Sequence, residues 1–309
     1  MELAPGILGQ DFACELLTRA LAQGRIAPAY LFVGPEGVGK ATVARHFASR
    51  LLGDTSGRVA RGNHPDLLWV EPTYKKGDKL LTRTEALAEG SLPRSQPQIR
   101  LEQVRAVAAF LARGSVEAGR RVVVVEGAQA LGEAAANALL KTLEEPGNGV
   151  FVLTAGELRL MLATVVSRCQ KIPFFALADA DLRTVLARLA VAPPPEHLVA
   201  MAAGSPGRVL QLVEWQAGVP PELFADLERW AAGPVELRFA LGLARQIAEV
   251  LTVESQVLLV DTLQHLAWSR GRPEPIAPLE ALRTQLLSYV NPRLAWEVAL
   301  AGPLLAAHG

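Results

Sequence analysis

"AYLFVGPEGVGKAT", residues Ala29–Thr42, carries five apolar residues straight into a glycine-rich turn and then a lysine. A short apolar run ending at glycine reads as a buried strand, and the turn follows the G-x-x-x-x-G-K spacing of a phosphate-binding loop. Gly34, Gly37 and Gly39 let backbone N–H groups approach phosphate oxygens, and a helix opening at Lys40 adds its dipole to the lysine's charge. One position breaks the pattern. Ala41 stands where a hydroxyl would meet magnesium, and Thr42 comes one residue late, about 100° round a helix. Phosphate cradling tolerates this change; metal placement does not. A glycine turn that binds nothing stays open as the plainer reading.

Outward from this loop, strand-like and helix-like segments alternate. Asp66–Val70 (DLLWV), Arg121–Val125 (RVVVV), Val150–Thr154 (VFVLT) and Lys171–Phe175 (KIPFF) are apolar runs like Ala29–Val33, with Pro173 suited to an edge. Strands apolar throughout suit a parallel sheet covered on both faces. In GEAAANALLKTLEEP, Ala136, Leu139, Leu140 and Leu143 form one apolar helical stripe, stopped by Pro146 and Gly147. The pattern predicts a doubly wound α/β domain.

From about Ala176 the chain becomes Ala/Leu-rich and helical. Asp residues in DADLRTVLARLA are placed to cap a helix, and breaks are expected at Gly204–Pro206 and Ala217–Glu222. Trp230, Trp268 and Trp296 read as core anchors among apolar neighbours. Thr73–Pro97 fits neither pattern and is expected to be a mobile surface insertion with a short helix at most. It holds Lys75, Lys76, Lys79, Arg83 and Arg94 but also Asp78, Glu85 and Glu89, so DNA contact is its sharper and less favoured reading.

Composition narrows the classes. The 309 residues are 50% hydrophobic and 20% charged, and 31 basic residues balance 31 acidic ones, so no global field draws the chain to DNA or membrane. Cys14 and Cys169 stand far apart, which argues against a disulfide framework and fits a reducing cytosol; the five His give no zinc spacing. The N-terminus lacks a signal-peptide pattern, and no uncharged apolar run reaches the roughly 18–20 residues of a membrane span. A cytoplasmic protein is expected.

Hydrolysis also needs acidic groups at the end of a valine-rich strand. Here that strand ends VVVVEGAQAL: Glu126 occupies the metal-orienting position, and Gly127 the place of the glutamate that would activate water. Phosphoryl transfer rests on metal placement and water positioning. Two separate departures therefore predict poor hydrolysis, while nucleotide binding stays open.

The segments Ala134–Pro146 (AAANALLKTLEEP) and Leu162–Gln170 (LATVVSRCQ) resemble the clamp-loader branch of the AAA+ ATPases, as do Ile7–Leu21 (ILGQDFACELLTRAL) and Ala27–Lys40. His64–Pro72 (HPDLLWVEP) and Gly204–Leu210 (GSPGRVL) are most similar to the delta-prime family of bacterial DNA polymerase III clamp loaders. The resemblance covers roughly residues 6–210. It implies an AAA+ P-loop parallel-sheet core at 1–175 with the insertion at about 73–97, a small helical lid domain at 176–216 and a C-terminal helical collar domain at 217–309.

It also implies that Arg168, in Ser167–Arg168–Cys169, acts in trans as an arginine finger on the ATP of a neighbouring subunit. Taken alone, Arg168 would read as solvated or salt-bridged. Gly34, Gly37, Gly39, Lys40, Ala41, Thr42 and Glu126 form a degenerate nucleotide site, with Thr154 and Arg208 as further candidates. Clamp-loader motor subunits have an arginine fourth in G-S-x-R; here Gly207 is there and Arg208 is offset by one. Many delta-prime relatives carry a four-cysteine zinc module before HPD, but Leu51–Asp66 holds no cysteine, so no zinc is expected. Cys169 reads as a packed thiol, and His64 as a turn residue.

Two functions follow. The leading one is a scaffold subunit in a hetero-oligomeric loader, with motor subunits (gamma/tau) and delta as partners, and the sliding clamp and primed DNA reached through the complex. Any ATP or ADP bound would be turned over inefficiently. The other is an active AAA+ ATPase, kept open by Lys40 and Glu126. A P-loop kinase lacks support.

Overall fold

The computed structural model describes residue 3 and residues 6–77, 79–89, 96–190, 192–233, 235–287 and 291–306. These divide into two compact units, residues 1–193 with 204–208, and residues 194–203 with 209–309. Helix Asp179–Arg188, within the segment expected as a lid domain, goes with the first unit, as does the Gly204–Arg208 stretch.

The first unit is a parallel α/β sandwich. Helix α1 (Asp11–Ala22) precedes β1 (Ala29–Val33), and α2 (Lys40–Leu52) follows the glycine loop. Next come β2 (Leu67–Val70), β3 (Tyr74–Lys76), β4 (Lys79–Leu81), α3 (Arg83–Ala88), α4 (Leu101–Ala112), β5 (Arg121–Val125) and α5 (Glu133–Glu144). The unit continues with β6 (Gly149–Ala155), α6 (Ala163–Val166), β7 (Gln170–Pro173) and α7 (Asp179–Arg188). Five strands pair in the order β2–β5–β6–β1–β7, every neighbour parallel.

The central strands β5, β6 and β1 are buried on both faces, as their composition requires, while β2 is only partly buried and the edge strand β7 is largely exposed. Leu31, Val123, Val125, Phe151 and Leu153 pack with Val104 and Val107 of α4 and with Ala135, Ala136, Leu139 and Leu143 of α5. Tyr30 meets Phe47 of α2 edge-on at 5.1 Å, and Phe32 lies 5.1 Å from Phe174. The α5 stripe is shifted slightly from expectation: Ala135 is buried and Leu140 only partly so. Pro173 sits on the edge strand β7, where its missing N–H costs no ladder bond.

The 73–97 insertion corrects the expectation of a largely structureless loop. Strands β3 and β4 form an antiparallel hairpin, and α3 is closed by a capping box between Thr82 and Glu85. Tyr74, Leu81 and Ala86 give it a small core, and paired N–H to carbonyl bonds of 3.0 Å between Thr73 and Gln98 close its base. Asp78 and residues 90–95, including Arg94, lie outside the described residues.

Another correction concerns α7. Its N-cap is Ala178, without a side-chain cap bond; Asp179 lies inside the first turn, where its charge favours the helix dipole and pairs with Arg183 at 2.8 Å.

The second unit contains α8 (Glu196–Met201), most of α9 (Pro206–Gly218), α10 (Pro221–Ala232), α11 (Leu237–Val250), α12 (Val253–Ser269), α13 (Ile276–Leu287) and α14 (Pro292–Ala306). Helix α14 packs along α11 and α13, and α13 along α12. Trp296 is fully buried, its indole N–H donating to Gln256 Oε1 at 2.9 Å, and Trp230 is buried with its N–H toward the Leu300 carbonyl. Trp268 is not a core anchor: it is 72% exposed, about 100° round α12 from buried Ala267. Among the described residues no helix is long and apolar enough to cross a membrane.

Candidate functional site

All five parallel strands of the first unit direct their carboxyl ends to one edge, where ligands of open α/β sheets bind. The glycine loop leaves β1 there. Gly34 N–H donates to Ala155 O at 3.2 Å, and a Cβ on Gly34 would lie 2.2 Å from the Phe174 carbonyl oxygen, so only glycine fits. Gln10 binds the chain leaving β7 in both directions: its side-chain amide donates to Phe175 O at 2.8 Å, and its Oε1 accepts from Phe175 N–H at 3.1 Å. The same amide reaches Val38 O at 3.3 Å inside the loop.

Lys40 opens α2 and is buried. Its ammonium donates to Gly34 O and Pro35 O, each at 2.5 Å, so the side chain folds back on its own loop. Burial pushes its pKa down to about 8, against the opposing pull of the Glu36 and Glu126 carboxylates. Ala41 and Thr42 follow in the first turn, whose N–H groups have no intrahelical acceptors.

The crest of the loop is covered from within the first unit. Gly207 N–H donates to Gly37 O at 3.0 Å, and Ser205 Oγ donates to Glu36 O at 2.6 Å. The two backbones touch: a Cβ on Gly207 would lie 2.7 Å from Gly37 Cα. The absence of a side chain at Gly207 is therefore what allows this approach. Arg208 contributes its backbone N–H to Ser205 Oγ at 3.2 Å.

At the end of β5, Glu126 Oε2 accepts the indole N–H of Trp69 at 3.0 Å, and the Arg45 guanidinium lies 4.3 Å from the centre of that indole. Burial and the Glu126 charge push the neighbouring Glu71 carboxyl upward. Gly127 takes φ +63°, and its N–H donates to Thr154 Oγ1 at 3.0 Å. The structure thus gathers Gly34, Gly37, Gly39, Lys40, Glu126, Thr154 and the Arg208 backbone around one loop. The supporting Gln10, Ser205 and Trp69 were not singled out from sequence. Gln10 lies in the quoted ILGQ segment and Ser205 in GSPGR, which is the signal that could have found them.

Arg168 belongs elsewhere. Its Nε donates to Glu144 Oε1 at 2.8 Å, its Nη2 contacts the same oxygen, and its Nη1 donates to Thr164 O at 2.8 Å. The side chain is 35% exposed. Cys169 is partly buried, its thiol donates to Val165 O at 3.3 Å, and burial raises its pKa to about 11. His64 closes a turn, accepting Asp66 N–H on Nδ1 at 3.1 Å. No group of three or more His, Cys, Asp or Glu among the described residues could hold a metal ion.

Residues 9–178 match the family model described as DNA polymerase III, delta subunit, and residues 180–302 match the C-terminal domain model of cyanobacterial DNA polymerase III delta prime. A DNA polymerase III subunit delta' from Pseudomonas aeruginosa is 34% identical over 197 residues, covering 58% of this chain and 54% of that protein. The Bacillus subtilis subunit delta' is 28% identical over 225 residues, covering 69% and 59%. The chain therefore spans between half and three-fifths of the length of these relatives. A DNA polymerase III gamma subunit-related protein from Thermotoga maritima shares the fold, with a TM-score of 0.59, 17% identity and coverage of 94% and 97%. The chain belongs to the DNA polymerase III delta-subunit family, among its delta-prime members.

Proposed function

We propose that this chain is a non-motor scaffold subunit of a DNA polymerase III clamp loader, with a P-loop that serves packing rather than hydrolysis. The observation that carries the reading is Lys40, whose ammonium donates to two carbonyls of its own loop while Gly207 sits on the loop's crest. The donor set does not suit a hydrolysable magnesium–nucleotide complex. Ala41 offers no hydroxyl, Glu126 is engaged by an indole, and Gly127 offers no base. Any ATP or ADP held here would be idle, and no zinc is required.

In the same reading Arg168 serves another chain. It lies away from this loop, partly exposed, and its planar fork suits the charge developing on a transferred phosphoryl group. The acceptor is the ATP site of a neighbouring gamma/tau motor subunit. The delta subunit, the sliding clamp and primed DNA complete the hetero-oligomer, which works in the cytoplasm.

The test is ATP hydrolysis by the loader reconstituted with gamma/tau and delta. The purified chain alone should show no turnover above a Lys40→Ala control. Arg168→Ala should collapse the clamp- and DNA-stimulated rate of the assembled loader. Robust turnover by the chain alone, or an unchanged rate with Arg168→Ala, overturns the proposal.

A further inference from the structure

The contacts of Arg168 contain more than the identity of a finger. A guanidinium has five N–H donors. Three are spent within this chain: Nε and one Nη2 hydrogen on Glu144 Oε1, and one Nη1 hydrogen on the Thr164 carbonyl. One N–H on each terminal nitrogen is left over by these contacts. That is the pair a guanidinium uses to grip two oxygens at once.

Glu144 is itself oddly placed. It is the last residue of α5, beside Glu145, at the helix end where carboxylates oppose the dipole. Two acidic residues there break a local rule with no gain to the helix itself. Positions of that kind tend to serve function. The second anchor, the Thr164 carbonyl, comes from α6, so two different elements hold the guanidinium from two sides.

We infer that Glu144 is a positioning residue: with the Thr164 carbonyl it splints Arg168 so that the outer edge of the guanidinium faces a phosphoryl oxyanion of the adjoining subunit. This rests on the finger reading above. The splint removes rotamer freedom before the subunits meet, so the neighbouring site does not bear the ordering cost of a long side chain in its transition state. An exposed ion pair adds little to stability by itself, so the expected effect is on rate and not on folding.

The experiment compares Glu144→Ala, Glu144→Gln, Arg168→Ala and the Glu144→Ala/Arg168→Ala double variant in the reconstituted loader. Its readout is the Arg168-dependent part of clamp- and primed-DNA-stimulated ATP hydrolysis. Glu144→Ala should lower kcat about 2- to 12-fold at unchanged KM for ATP, the rate equivalent of ordering one rotamer-rich side chain. Glu144→Gln keeps an acceptor oxygen and should recover part of the loss. In the double variant, Glu144→Ala should cost nothing further. A wild-type or raised kcat for Glu144→Ala beside a collapsed Arg168→Ala overturns the splint and leaves the finger standing. A Glu144→Ala loss that persists without Arg168 also overturns it. An unchanged rate for Arg168→Ala overturns the finger reading itself.

Discussion

Asp66→Asn should remove a large share of the stability of the first unit. The Asp66 carboxylate is completely buried and accepts from the N–H groups of Val116 at 2.7 Å, Glu117 at 2.8 Å and Ala118 at 2.9 Å, and from Ser115 Oγ at 3.1 Å. Buried Arg121 adds an ion pair at 3.7 Å. Burial alone would raise the carboxyl pKa, but these hydrogen bonds outweigh it and hold the group down at about 2, against 3.8 when unperturbed. Holding the carboxyl down in this way corresponds to roughly 2 kcal/mol of native-state stabilisation. Because the folded pKa is the lower one, that contribution is complete above pH 3.8 and is lost as pH falls through about 2.

Asparagine keeps the shape but removes the charge, turns an N–H₂ toward a nest of N–H donors and leaves Arg121 unneutralised. The loss at pH 7 should be about 3–5 kcal/mol, as for other broken buried pairs. Urea denaturation of wild type and variant at pH 7, repeated between pH 4 and pH 2, measures it. Asp54, also held at about 2 by backbone and Ser56 hydrogen bonds after the opposing effect of burial, titrates in the same window in both proteins and cancels in the difference. A loss under about 1 kcal/mol, or a difference independent of pH in the acid range, would refute the reasoning.

Three further outcomes are expected. The Lys40 ammonium should titrate near pH 8 by NMR in the nucleotide-free protein, and a midpoint near the ordinary lysine value of 10.5 would contradict its burial beneath the loop. Trp296→Ala should destabilise the helical unit by about 3–5 kcal/mol, since it empties a fully buried site and orphans the Gln256 acceptor; calorimetry reads the loss as a lower melting temperature. Cys169, with a thiol raised to about 11, should resist iodoacetamide at pH 8 while the protein is folded and react once it is unfolded, and rapid native labelling would contradict its burial.

Much of the fold was legible because it is built from local patterns. The apolar runs Ala29–Val33 and Val122–Val125 became buried parallel strands, the second extended by the buried Arg121, and the glycine loop opened α2 as its spacing required. The hairpin of β3 and β4 was not legible. Its strands are three residues each, too short for a periodicity, and its small core joins Tyr74 and Leu81 of the hairpin to Ala86 of α3. Trp268 was misread for a related reason: composition says that a tryptophan wants burial, but only the packed helix shows which face it received.

The candidate site divides the same way. Sequence alone determined the chemical vocabulary: no hydroxyl at Ala41, no base at Gly127, an arginine at Arg168 and a glycine at Gly207. Those are statements about which atoms exist, and covalent identity settles them. Only the tertiary structure decided what the remaining groups do. Lys40 turns onto Gly34 and Pro35, Glu126 meets Trp69, and Gly207 lies on Gly37. The physical reason is that a buried polar group must find a partner, and its nearest partner in space is not one that spacing along the chain can name.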